Sequence, residues 1–149
     1  MPLYFRSRMP ATLGLCFLTN DVDAEDAAQM THEIDIYKEL RRTLRGAAGS
    51  LLTGQADGSL GPAWDVFQLS ASGNREAVVS AFQRDSAVEA FTVRPIGLRP
   101  LATYQVISVD GGVLGEAIGA ELMATGISVV GSSYSAAHIL VLKQTRTPD

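Results

Sequence analysis

Three residues on β-rich segments are best suited by type to acid–base chemistry: His138, Asp65 and Tyr104. Alternation along Ala137 to Lys143 puts His138 on one strand face with Leu140 and Leu142. An imidazole with an ordinary pKa of about 6.5 can move protons near neutrality, and the same position also suits a core histidine hydrogen-bonded to backbone. Asp65 and Tyr104 lie on strands expected to adjoin, which would bring an ionisable group and a phenol into one pocket, as catalytic residues or as plain strand packing. Trp64 would be an aromatic wall for a substrate or a core anchor. Asp110, Gly111 and Gly112 stand between a strand and an expected helix, where exposed N–H groups attract anions, so they are candidate substrate contacts. The turn lacks the G-x-G spelling of a dinucleotide site. Arg94 and Arg99, each followed by a proline, could clamp a carboxylate or simply face solvent.

These residues need a frame to hold them, and its elements can be read from periodicity. Ala11 to Leu18 alternates apolar and small residues like a strand. Asp23 followed by Asp26 is an acidic capping pair, and Ala27, Met30, Ile34, Tyr37, Leu40 and Leu44 then trace a helical stripe. Arg41, Arg42 and Arg45 fall at the negative end of that helix, before Gly46. Strands are expected at Ser50–Thr53 and Ala63–Ser70, separated by the turn formers of Gly54–Pro62. Asn74 would cap a helix with Val78, Ala81 and Phe82 buried, and Ser86 to Phe91 a further turn of helix. Arg94 to Pro100 reads as an extended connection or an edge, because proline suits neither a central strand nor a helix interior. Tyr104–Val109 is a strand, and Leu114, Ile118 and Leu122 suggest a helix ended by Gly126. Two strands, Ile127–Gly131 and Ala137–Lys143, finish the chain around a polar turn at Ser132–Ser135.

The order βαββαβ followed by αββ implies an α+β fold: a ferredoxin-like antiparallel sheet over about 11–110 with a C-terminal αββ unit over about 111–145, in one domain spanning 1–149. Helices on one side leave the other sheet face to be buried by a second copy or by that C-terminal unit, so a homodimer is expected.

Composition narrows the classes further. The 149 residues carry 12 basic and 16 acidic side chains, a net charge of −4, which argues against a nucleic-acid surface. Apolar runs are too short for a membrane helix, and the first residues lack the apolar core of a secretory signal, so a cytoplasmic protein is expected. One cysteine, Cys16, cannot form an internal disulfide, and with His32 and His138 the only histidines neither metal nor haem is expected. His32 falls on the outer face of the first long helix, with Asp35 and Glu39.

Two stretches carry family resemblances. From Leu40 to Val109, Arg45-Gly46, the Asp57-Gly58 turn, the strand Trp64–Leu69 and the run from Arg75 to Val88 resemble the dimeric α/β-barrel superfamily in its antibiotic-biosynthesis-monooxygenase branch. That likeness implies a homodimer with a pocket between helix and sheet. It also implies a cofactor-independent oxygenase, cyclase or isomerase acting on an aromatic or polyketide-like small molecule. From Gln105 to Lys143, Leu122–Val130 followed by His138–Val141 resembles an ACT regulatory domain, implying an amino acid or similar anion held at Asp110 to Val113. A non-catalytic oligomeric protein is the third reading.

Overall fold

The computed structural model describes residues 2–11, 13–14, 22–54, 64–84, 88–131 and 136–146. Most of the strand expected over Ala11–Leu18, with Cys16, lies outside the described residues, as do the Asp57-Gly58 and Ser132–Ser135 turns.

A short helix, α1 (Pro2–Arg6), precedes α2 (Ala24–Leu44). Asp23 caps α2 as its type dictates: its side chain accepts from the Asp26 N–H at 2.8 Å, satisfying a donor that has no partner inside the helix. The chain leaves α2 through Gly46, whose φ of +75° is in the left-handed region open to glycine.

Eight strands follow: β1 (Ala48–Leu51), β2 (Trp64–Ser70), β3 (Glu76–Gln83), β4 (Ala90–Val93), β5 (Thr103–Ser108), β6 (Gly112–Ile118), β7 (Ile127–Val130) and β8 (Ala137–Arg146). A third helix, α3 (Gly119–Thr125), lies between β6 and β7. Six strands form one antiparallel sheet in the order β1-β2-β3-β8-β5-β6, and β4 pairs with β7 apart from it. The fold is therefore α+β with a six-stranded antiparallel sheet, and the expected βαββαβ order is replaced by a meander into which β8 is inserted.

Two expected helices are strands. Glu76–Gln83 becomes β3 because it lies inside the sheet with both faces covered: Val78 meets the helices, Val79 and Ala81 meet the opposite core, and Ala77 to Ala81 are all buried. A strand buried on two sides loses its alternation and can pass for a helix stripe. Leu114 and Ile118 share a helical spacing but belong to β6, an edge strand, and helix begins only at Gly119. Phe91, assigned to a turn of helix, lies in β4.

The sheet separates two cores. On one face Phe5, Met9, Met30, Ile36 and Leu40 of the helical layer pack on Val78 and Ile139. On the other, Trp64, Val66, Val79, Tyr104, Leu140 and Leu142 pack beneath Val93, Val129 and Leu122 from β4, β7 and α3. The face that sequence leaves open is thus covered by elements of the chain itself. No helix among the described residues is long and apolar enough to cross a membrane.

Candidate functional site

The residues expected to form one pocket are distributed over two faces and two ends of the sheet. Period two sends Trp64 to one face and Asp65 to the other. Asp65 is half exposed, 3.5 Å from Arg84, and lines a cavity of about 490 Å3 with Thr53 and Phe67. Tyr104 sits opposite Gln144 of β8, six residues or about 20 Å along the strand from His138. Its hydroxyl donates to the Asn74 carbonyl at 2.6 Å and accepts from the Arg99 N–H at 3.0 Å, which ties two connections together. His138, Asp65 and Tyr104 do not converge.

Gly111 and Gly112 form the tight turn between β5 and β6, with the Gly111 N–H donating to Ser108 Oγ at 3.1 Å. A strand follows them, so no helix N-terminus is available to bind an anion. Arg99 donates to the Gly73 carbonyl, and Arg94 to that of Ala124 in α3, each tying the connection after β4 to a neighbouring element. His32 is exposed, as expected.

What does assemble at the His138 end is a charge cluster built by elements far apart in sequence. Arg6, fully buried at the end of α1, donates from Nε and Nη2 to the two carboxylate oxygens of Glu33 at 2.9 and 2.8 Å. Its Nη1 and Nη2 donate to the two oxygens of Asp110 at 2.7 Å each, and Nη1 also donates to the Ala137 carbonyl at 2.8 Å. A guanidinium has five N–H donors, and these bonds engage all of them. Burial works against the charge on Arg6, and the hydrogen bonds to Asp110 and Glu33 outweigh it, holding its pKa above the ordinary value.

His138 follows Ala137 directly, with its ring 5.6 Å from that of Trp64. Trp64 is fully buried, donates from Nε1 to the Val88 carbonyl at 3.0 Å, and stacks 6.2 Å from Phe91. The His138 Nε2 is enclosed and has no hydrogen-bond partner among the described residues. Burial lowers its pKa, the Asp110 carboxylate pulls it back, and the Arg6 cation lowers it again. Trp64 is therefore a core anchor, and Asp110 is a partner of Arg6 with part of its side chain still exposed. The cluster can position α1 against the sheet and hold a neutral imidazole beside it. It leaves no guanidinium donor for a ligand.

Sequence reading missed Arg6 and Glu33. One signal existed: Met30, Glu33, Tyr37, Leu40 and Leu44 follow a three-four spacing, so a carboxylate occupies a stripe position and requires a buried cation.

No family model and no curated protein matches the chain. Solved structures do. A glycoside hydrolase family 36 α-galactosidase from Geobacillus stearothermophilus, in complex with raffinose, matches 95% of this chain with a TM-score of 0.76 at 19% identity. An α-galactosidase from Lactobacillus brevis matches 89% with a TM-score of 0.69 at 16% identity. The matched region is 19% of the first of those chains and 18% of the second, so this chain spans about a fifth of their length. The likeness replaces both family resemblances: the fold is that of a part of these α-galactosidases, and neither the monooxygenase-like nor the ACT-like arrangement is present. It also removes the basis for an aromatic oxygenase, cyclase or isomerase and for an amino-acid sensor.

Proposed function

We infer that this chain is the β-sheet companion unit of a carbohydrate-processing protein, a module that packs against a larger unit and does not itself hold the glycosidic site. The observation that carries this reading is the asymmetry of the match, nearly all of this chain against a fifth of each α-galactosidase. Its chemistry agrees. Glycoside hydrolysis commonly uses two carboxyl groups facing each other across the sugar, about 5 to 10 Å apart. Here Glu33 and Asp110 are bound to one guanidinium instead.

A surface for the larger unit is available on β6. The helical layer packs mainly on β2, β3 and β8, and the edge strand β6 leaves Val113, Leu114 and Ile118 exposed. The same surface would serve a homodimer, the second reading, since an edge strand can pair with its own copy.

Sedimentation of the full chain over a concentration series tests both. The companion reading expects weak, open-ended self-association and binding of an apolar dye, both lost in the Val113→Glu, Ile118→Glu double variant. It also expects no hydrolysis of an aryl α-galactoside. A discrete dimer abolished by the same variant would favour the second reading. Turnover of the galactoside would overturn the first.

A further inference from the structure

The last two turns of α2 carry Lys38, Arg41 and Arg42, and Arg45 caps its C-terminus; together they are a third of the basic residues of a chain whose net charge is −4. At 100° per residue these four fall within an arc of about 100°, so they form a single cationic stripe. Lys38 pairs with Asp35 at 2.8 Å. Arg41, Arg42 and Arg45 have neither side-chain hydrogen bond nor ion pair among the described residues.

The stripe lines an open cavity of about 810 Å3 together with Pro10, Ala11, Tyr37 and Leu44. That volume is in the range of small-molecule sites. Two of the terminal helix carbonyls are met by backbone, with the Arg45 N–H donating to the Arg41 carbonyl and the Ala47 N–H to that of Leu44. Cations spaced three and four residues apart also repel each other unless an anion lies between them.

We propose that this cavity binds the phosphate group of a small phosphate ester. Guanidinium groups suit phosphate because their planar forks donate in pairs to its oxygens, and three unpaired forks beside one cavity can share a doubly charged group. Tyr37 adds a phenol and an aromatic edge for the esterified portion. An extended polyanion would instead call for a basic track across the surface, and the sequence, with a net charge of −4, is acidic overall. The proposal stands independently of the companion-unit reading.

Isothermal titration of the full chain with pyrophosphate, glucose 6-phosphate and glucose tests it. Both phosphates are expected to bind with saturation at one equivalent and to raise the melting temperature, and glucose to do neither. The Arg42→Gln, Arg45→Gln variant should keep its circular dichroism spectrum and weaken binding about tenfold or more. Arg75→Gln, an exposed arginine away from the cavity, should change nothing. Absence of saturable binding, or equal loss in the Arg75 variant, would overturn the proposal.

Discussion

Two groups of arginine flank the same long helix, and they differ in whether their donors are used. Arg6 is enclosed, and five hydrogen bonds to Glu33, Asp110 and the Ala137 carbonyl engage every donor it has. Arg41, Arg42 and Arg45 are exposed around a cavity and have no partner among the described residues. A charge consumed by the fold is a structural element, whereas one left unspent beside a cavity is available to a ligand. Residue type is identical in the two groups, so the difference lies in which elements surround each.

The comparison breaks most visibly at Arg6. Replacing Arg6 with Leu leaves the Glu33 carboxylate buried without a cation, which costs about 3 to 5 kcal/mol. Chemical denaturation should register that loss, and α1 should become the first segment to exchange its amide protons. Adding Glu33→Gln to the Leu variant should recover part of it, because the unpaired charge is gone. Stability unchanged in the single variant would mean that the clasp does not hold α1.

That clasp also marks where the sequence could be read and where it could not. The Asp23 cap, the start of α2, the strands β2, β5, β7 and β8 and the Gly126 helix end all follow from signals within a few residues. Glu76–Gln83 did not, because burial on both faces removes the alternation that marks a strand. The edge strand β6 misled for another reason: Leu114 and Ile118 fall four apart by chance of spacing, and both are exposed. Arg6 meets partners 27 and 104 residues away, and no local pattern encodes that encounter. Of the expected site residues, His138 and Trp64 come together, and Asp110 reaches their end of the sheet from the β5–β6 turn, bonded to Arg6.

A smaller effect should appear at His138, beside the clasp. Its folded-state pKa is lowered, so the unfolded chain binds the proton more readily. Stability associated with this group is therefore complete above the unfolded value of about 6.5 and declines as pH falls from there through the folded value. Urea midpoints measured from pH 8 down to pH 5 should show this decline, and His138→Gln should remove part of it while leaving the value at pH 8 close to wild type. An unaltered slope in the variant would mean that His138 does not set the pH dependence. Arg6 faces His138 from α1 and Asp110 from the β5–β6 turn, so the Arg6→Leu variant should carry a different slope as well.

The smallest effect should come from the other arginine group, and its sign matters more than its size. Arg42 lies four residues after Lys38 and three before Arg45, with no carboxylate bonded to it among the described residues. Like charges at that spacing oppose helix formation by about 0.2 to 0.5 kcal/mol per pair. Arg42→Gln should therefore leave the melting temperature unchanged or raise it slightly, the reverse of Arg6→Leu. The gain should shrink as salt is added, since screening already relieves the repulsion in the wild type. A clear loss of stability on Arg42→Gln would show that the fold itself uses this side chain, and the contrast between consumed and unspent charge would no longer hold.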